Sequence, residues 1–409
     1  MRMIASGLLT ALLVTGAALA NEPQSRPIIG DPPPMPEESY HMHPDGIEVT
    51  EYVTGLEAVW DIQFLPDGAA LVSERPGRVR YVSPEGELAA EPWVTPELVV
   101  GEENGGGMMG LALHPDFDKN RWVYAMYSTD VRGGRANRVS RFRHEGTKGV
   151  AEEVIIDLLP AGTTHFGGRI EFGPDGMLYV TQGDTGQRTS AQNVYDYRGS
   201  VMRYTPEGGI PADNPWPHTP VWTAGMRNTA GLAFHPRTGE LFAADHGPSG
   251  EWRDPLVGAR DEINVLEGGK NYGWPAAVGA PGEPGYVDPI LMWEDSPLPP
   301  GDLIIYDGSL MPQFKGDVFL ATLRTEALVR IQFGDKKNPH KPTAIERWFT
   351  DRNLGDTPLG EGPSQFGRLR AVAVGPDGAI YIGTTNRDRG RGTIRDNDDR
   401  VMRIAPAGK

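Results

Sequence analysis

The residues of this chain best suited to chemistry are a histidine, several arginines and a Gly-Pro pair. His165 lies in "TTHFGGRI", just ahead of a predicted strand over 177–181. A neutral imidazole there suits a general base near pH 7, and it suits a metal ligand or a packing residue equally well. Arg227 and Asn228 stand in "GMRNTAGLAF", in a turn before another apolar run. Arg324 in "TLRTEAL" and Arg368 and Arg370 in "GRLRAV" add three guanidiniums, the last two at i and i+2 and so on one face of a strand. Guanidiniums on one face point to an anionic ligand bearing carboxylates, which Arg binds bidentately; surface ion bridges are the alternative. Gly247 and Pro248 in "DHGPSG" offer two carbonyls with no proline N–H to compete. Such a pair serves a hard cation such as calcium, or an ordinary turn.

Something must bring these scattered groups together. One phrase, a turn followed by a short β-branched or aromatic strand, recurs along the chain. It appears as "FLPDGAALVSERPGRVRYV", "LHPDFDKNRWVYAMYS", "FGPDGMLYVTQGD", "FHPRTGELFAADHG", "MPQFKGDVFLATLRTEALVRI" and "VGPDGAIYIGTTNRD". Anchored on Pro66, Pro115, Pro174, Pro236, Gly316 and Pro376, the repeats are 49 to 80 residues apart. That spacing fits a propeller blade with variable loops and is too long for a β-helix rung. The chain is therefore expected to be all-β, a six-bladed β-propeller in one domain over 47–409. Function should sit on the loops around its central channel.

Composition agrees. With 53 Gly and 37 Pro in 409 residues, long helices are excluded, and many short strands joined by turns are favoured. A formal net charge of −16 argues against general attraction to nucleic acid or anionic lipid. Residues 1–20, "MRMIASGLLTALLVTGAALA", combine Arg2, an apolar run and a small-x-small end at Ala18–Ala20, the pattern of a secretory signal peptide. Its apolar stretch is short for a membrane span, so no span is expected after cleavage. The cysteine count of zero leaves no disulfide and no thioether lipid anchor, and a periplasmic or secreted location fits. Residues 21–46 are Pro-rich and read as an extended tether; His41 and His43 within it lack a third ligand at suitable spacing.

The motifs "WDIQFLPDGAALVSERPGRVRYV", "GMMGLALHPDF", "HFGGRIEFGPDGMLYVTQGD", "RNTAGLAFHP", "DEINVLEGGKNYGWP" and "GRLRAVAVGPDGAIYIGT" resemble the soluble glucose/sorbosone dehydrogenase family. Its characterised members are periplasmic aldose sugar dehydrogenases that use pyrroloquinoline quinone (PQQ) and calcium. The resemblance runs from about residue 50 to 405, in the family's order, and implies the same six-bladed propeller. It implies that His165 is the base for the sugar's anomeric hydroxyl and that Arg227 steadies charge on the quinone. Asn228, Arg324, Arg368 and Arg370 then bind the cofactor, Gly247 and Pro248 hold the catalytic calcium, and Glu262 and Tyr272 match a second, structural calcium site. The implied partners are a sugar and an external electron acceptor, a quinone or a cytochrome.

The chain also departs from the family pattern. Gly105 falls where a Gln or Glu usually contacts the cofactor, with Glu103 and Asn104 beside it. Thr164 replaces an Asp beside the base, Ala230 replaces a Gln, and "PLPPGDL" with Gly301 replaces an "APSG" stretch. The link from Ser249 to Arg260 is longer than usual and long enough for a lid. Two other functions follow if those losses are decisive. One is an inactive propeller that binds carbohydrate or a partner protein. The other is a calcium-dependent lactonase-type hydrolase, which would need carboxylate and Asn ligands where this chain offers mostly carbonyls.

Overall fold

Pro-Asp-Gly recurs at 66–68, 174–176 and 376–378, and its local chemistry recurs with it. Each Asp side chain accepts a hydrogen bond from the main-chain N–H two residues on, at Ala69, Met177 and Ala379, each 3.1 Å long. Each Gly takes a left-handed φ, 94°, 76° and 79° in turn, which a side chain would strain. These corners join the innermost strand of a blade to its second strand. The second strands read Ala70–Glu74, Leu178–Gln182, Leu241–Asp245, Val318–Thr322 and Ile380–Thr384, and every residue in them is buried. Blades cover both of their faces, so these strands open on apolar residues facing either side rather than alternating, and the polar residues are buried at their ends, as at Glu74, Gln182, Asp245, Thr322 and Thr384.

The computed structural model describes residues 26–97, 106–132, 134–248, 259–294, 298–334, 339–351 and 364–408. The expected signal peptide, Glu103 to Gly105 and most of the expected lid (249–258) lie outside the described residues. Six antiparallel sheets stand around a channel. Their innermost strands are Val59–Phe64, Met108–Leu113, Ile170–Phe172, Thr229–Phe234, Pro300–Ile305 and Leu369–Val374. The six-bladed, nearly all-β propeller read from the repeats is the fold observed. One helical turn, Phe117–Asn120, is the only α-helix among the described residues.

The ring closes with strands from both ends of the chain. Ile47–Val53 pairs with Val401–Pro406 as the outer strand of the sixth blade, Val53 opposite Val401 and Ile47 opposite Pro406. Closure by hydrogen bonding removes the sheet edge that an open array would expose. Ahead of the first blade, residues 26–46 are pinned to the propeller at two places. Ile28 and Ile29 pair in parallel with Ala277 and Val278 of the fourth blade. Glu38–His41 then adds a parallel fifth strand to the fifth blade, beside Ala344–Trp348. There Glu38 accepts from Trp293 Nε1 at 2.5 Å and pairs at 2.7 Å with Arg347, which is buried. Among the described residues no helix is long and apolar enough to cross a membrane.

Candidate active site

At one mouth of the channel, the residues that precede the inner strands meet those that follow the second strands. They enclose a cavity of about 640 Å³. His165, Arg227, Asn228, Arg324, Arg368 and Arg370 all line it, so the six candidates scattered over two hundred residues of sequence share one space. Below it, the buried Arg169 guanidinium closes the channel, paired with Asp61 at 2.6 Å and Asp302 at 3.3 Å and stacked 4.4 Å from the Trp60 ring.

His165 has a left-handed φ of 50°, uncommon for a side-chain-bearing residue, and Gly167 and Gly168 follow at 64° and 100°. Its segment lies so close to the end of the second strand that a Cβ on Gly183 would meet the His165 carbonyl oxygen at 2.1 Å. This approach sets His165 Nδ1 2.6 Å from Asp184 Oδ1. A carboxylate can only accept, so Nδ1 carries the proton and Nε2 presents its lone pair. Asp184 is fully buried, and burial raises its pKa. The His165 bond and charge, the Gly186 N–H and Arg227 outweigh that and hold the carboxyl below its ordinary value. Its other oxygen accepts from Trp274 Nε1 at 2.9 Å. Thr164 lines the cavity as well, but the structure gives the partner role to Asp184.

Arg227 and Asn228 are fixed through their main chain. Asp245 accepts from Arg227 N and Asn228 N, each at 2.8 Å, while the Arg227 carbonyl accepts from Asp184 N at 2.9 Å. The guanidinium of Arg227 stacks 5.3 Å from the Trp274 ring. Asn228 Oδ1 accepts from Gly167 N at 3.0 Å, which ties this turn to the His165 segment. His246 also lines the cavity; its Nε2–H donates to Pro300 O at 2.7 Å. Burial, then the Arg227 charge, push its pKa down to about 3, so it stays neutral.

The arginines surround one carboxylate. Arg75 pairs with Asp388 Oδ1, Arg370 Nη2 lies 3.5 Å from Asp388 Oδ2, and Arg389 Nε lies 3.5 Å from Oδ1. Burial opposes ionisation of Asp388, but Arg370, Arg75, Arg389 and Arg368 together bring it down to about 2. Among the described residues, Asp388 pairs with three of these guanidiniums, while Arg368 feels Asp388 together with Glu326 and Asp399. Burial and the other arginines push Arg370 down to about 9 and Arg389 to about 10. Among the described residues, the Nε atoms of Arg368 and Arg370 are buried without a hydrogen-bond partner. Buried guanidinium N–H donors clustered in this way are what a polycarboxylate would satisfy. Arg324 is exposed at the rim, and Arg391 stands there with it.

Gly247, Pro248, Glu262 and Tyr272, expected at two cation sites, line a single small void of about 10 Å³ behind the cavity, together with Asp245 and Arg227. Pro248 faces both spaces. Gly247 N donates to Asp261 Oδ1 at 2.9 Å, and a Cβ on Gly247 would meet the Ala259 carbonyl oxygen at 2.0 Å. The Tyr272 hydroxyl is occupied, donating to Val265 O at 2.8 Å and accepting from Glu267 N at 2.9 Å, so a ligand role would fall to its main chain. Burial, then Asp245, push Glu262 well above the ordinary carboxylate range. These oxygen donors suit a hard cation that would offset that repulsion. Among the described residues no three acidic or histidine side chains form a ligand cluster, so carbonyls must complete the set.

The glucose/sorbosone dehydrogenase family model matches residues 56–394. The chain belongs to this family. Escherichia coli aldose sugar dehydrogenase YliI is 30% identical over 351 residues, covering 80% of this chain and 87% of that one. Quinoprotein glucose dehydrogenase B of Acinetobacter calcoaceticus is 30% identical over 253 residues, covering 54% of this chain and 51% of its own. The PQQ-bound aldose sugar dehydrogenase of Streptomyces coelicolor superposes with a TM-score of 0.73 at 30% identity, over 88% of this chain and 99% of that one. Family membership makes the protein a sugar oxidoreductase.

Two family departures look different in space. A Cβ on Gly301 would meet Arg370 Cα at 2.7 Å, so a side chain there would require the Arg370 backbone to shift. Ala230 lines the cavity and gives its carbonyl to Arg169 Nε at 3.2 Å. Sequence reasoning missed Asp184, Trp274, Arg75, Asp388 and Arg389. The "QGD" and "NRDRG" that end two repeats held the only local signal for three of them.

Proposed function

We propose that this protein is an exported, PQQ- and calcium-dependent aldose dehydrogenase that oxidises the anomeric carbon of sugars to lactones. The observation that carries the reading is the pairing, in one cavity, of a carboxylate-held imidazole with a cluster of arginines gathered around Asp388. When bound, PQQ would supply a hydride-accepting quinone and calcium a Lewis acid that polarises it.

The chain's own groups have the following parts. His165 Nε2 takes the proton from the anomeric hydroxyl, and the buried, ionised Asp184 stabilises the imidazolium that forms. Arg227 steadies the negative charge that develops in the reaction, and Asn228 hydrogen-bonds beside it. Arg368 and Arg370 hold carboxylates of the cofactor, and Arg324 does so from the rim. The carbonyls of Gly247 and Pro248 hold the catalytic cation, while Glu262 and the Tyr272 main chain support a structural one. Export through residues 1–20 would put the enzyme in the periplasm, where a quinone or cytochrome takes the electrons onward.

The test is dye-linked aldose oxidation by purified apo-protein, with PQQ and calcium added singly and together. Activity that needs both supports the dehydrogenase. No activity and no PQQ binding by titration would leave a propeller that binds carbohydrate or a partner.

A further inference from the structure

The family model begins at residue 56, yet the chain ahead of it pairs with the loop that carries Trp274. Ile28 N donates to Ala276 O and Gly30 N to Val278 O, both at 2.9 Å, so this strap adds a parallel strand to the segment 276–278. The fit is close. A Cβ on Gly30 would meet Pro281 N at 2.0 Å and Ala280 C at 2.1 Å.

The clamped segment is the far side of the loop that carries Trp274. Val278 packs with Trp274 and Ala191 in one buried cluster, and Ala277 N donates to Gly273 O at 2.8 Å. Trp274 in turn donates to Asp184, which holds His165, and stacks on Arg227. From the strap to the base there are thus four contacts, each made by a buried or hydrogen-bonded group.

We infer that residues 28–30 are a positioning strap, which sets the His165–Asp184 pair by clamping the loop of Trp274. The inference rests on the reading of His165 as the base. Main-chain pairing carries the clamp, continued by a bridge between Asp31 and Ala280, while the Ile28 side chain is exposed. Glu38, ten residues further on, anchors the strap to the fifth blade and serves as an internal control.

The experiment follows the Trp274 indole N–H by NMR in ¹⁵N-labelled, ligand-free protein, with the signal assigned by its loss in Trp274→Phe. In Gly30→Val, which cannot seat the strap, and in the milder Ile28→Pro, which removes one of its donors, that signal moves and exchanges faster. In the loaded enzyme kcat falls about 10- to 100-fold while KM changes little, as expected for a slightly misplaced base. Trp274→Phe loses a similar factor, and combining it with Gly30→Val adds little. Glu38→Gln lowers the melting temperature and leaves the indole signal in place. The inference is overturned if the signal stays put once protease can cut the released strap. It also fails if the two losses multiply in full, or if Glu38→Gln moves the signal as far as Gly30→Val. The indole measurement needs no turnover, so it reads the strap even if the dehydrogenase reading fails.

Discussion

His165 Nδ1 and Asp184 Oδ1 lie 2.6 Å apart, although the residues are 19 positions apart in the chain. The carboxylate fixes which ring nitrogen carries the proton and leaves the other free to receive one. A histidine at this mouth of a propeller would be a hydrogen-bonding residue without that partner; with it, the ring is set up as a base.

His165→Gln should therefore lower kcat by roughly 10²–10⁴-fold, the usual worth of a general base. Asp184→Asn should lose a large part of the same factor, because the amide no longer enforces the tautomer. Steady-state kinetics beside PQQ titration separates this from lost cofactor, since affinity should hardly change. Turnover surviving in His165→Gln would remove the assignment.

Arg368→Gln and Arg370→Gln should act in the opposite way. Each removes a charge-assisted hydrogen bond worth roughly 1.5–3 kcal/mol. PQQ should bind about 10- to 150-fold more weakly, with kcat at saturation less affected. Titration of apo-protein by quenching of tryptophan fluorescence measures it. Unchanged affinity would mean that these arginines serve Asp388 rather than a ligand.

Asp388 gives a pH prediction. Its pKa of about 2 when folded, against an ordinary 3.8, is a depressed value. Its stabilising pairings are thus fully present above the unfolded value and are lost as pH falls from 3.8 towards 2. Melting temperature should drop more steeply over that window in the native chain than in Asp388→Asn. At neutral pH the substitution should cost about 3–5 kcal/mol, because it leaves buried guanidiniums unpaired. Parallel pH-dependence in the two proteins would contradict this.

Gly301→Ser restores the residue type usual at this stretch of the family, and the geometry predicts harm. A Cβ there would meet the Arg370 backbone at 2.7–2.8 Å. The expected cost is roughly 1–3 kcal/mol of stability, the range for overpacking, together with weaker PQQ binding as Arg370 shifts. Tighter PQQ binding would show instead that a cofactor contact had been lost at this position.

Chelation should lower the melting temperature and abolish PQQ-dependent turnover, and calcium should restore both. Magnesium should restore less, since it demands a tighter octahedral shell than a mixed set of carbonyls and carboxylates provides. Glu262→Gln should raise the calcium concentration needed for recovery. Melting curves at graded calcium test both points.

By itself, the sequence determined whatever depends on a few neighbouring residues. The Pro-Asp-Gly corners bond from Asp67, Asp175 and Asp377 to amides two residues on, so each turn, and with six repeats the blade count, could be read directly. His165, Arg227 and the Arg368–Arg370 pair could be singled out as candidates because each stands at or shortly before the start of an inner strand, in a phrase that resembles the family's. Only the tertiary structure decided the partners. Trp274 meets Asp184 across 90 residues and Arg75 meets Asp388 across 313, on different blades of the ring. It also placed residues 28–30 against 276–278 through main-chain hydrogen bonds, whose partners are not written in the neighbouring residues. The physical reason is common to all three. Local turn chemistry fixes how each blade folds, but which side chains face one another across the channel is fixed by closure of the ring.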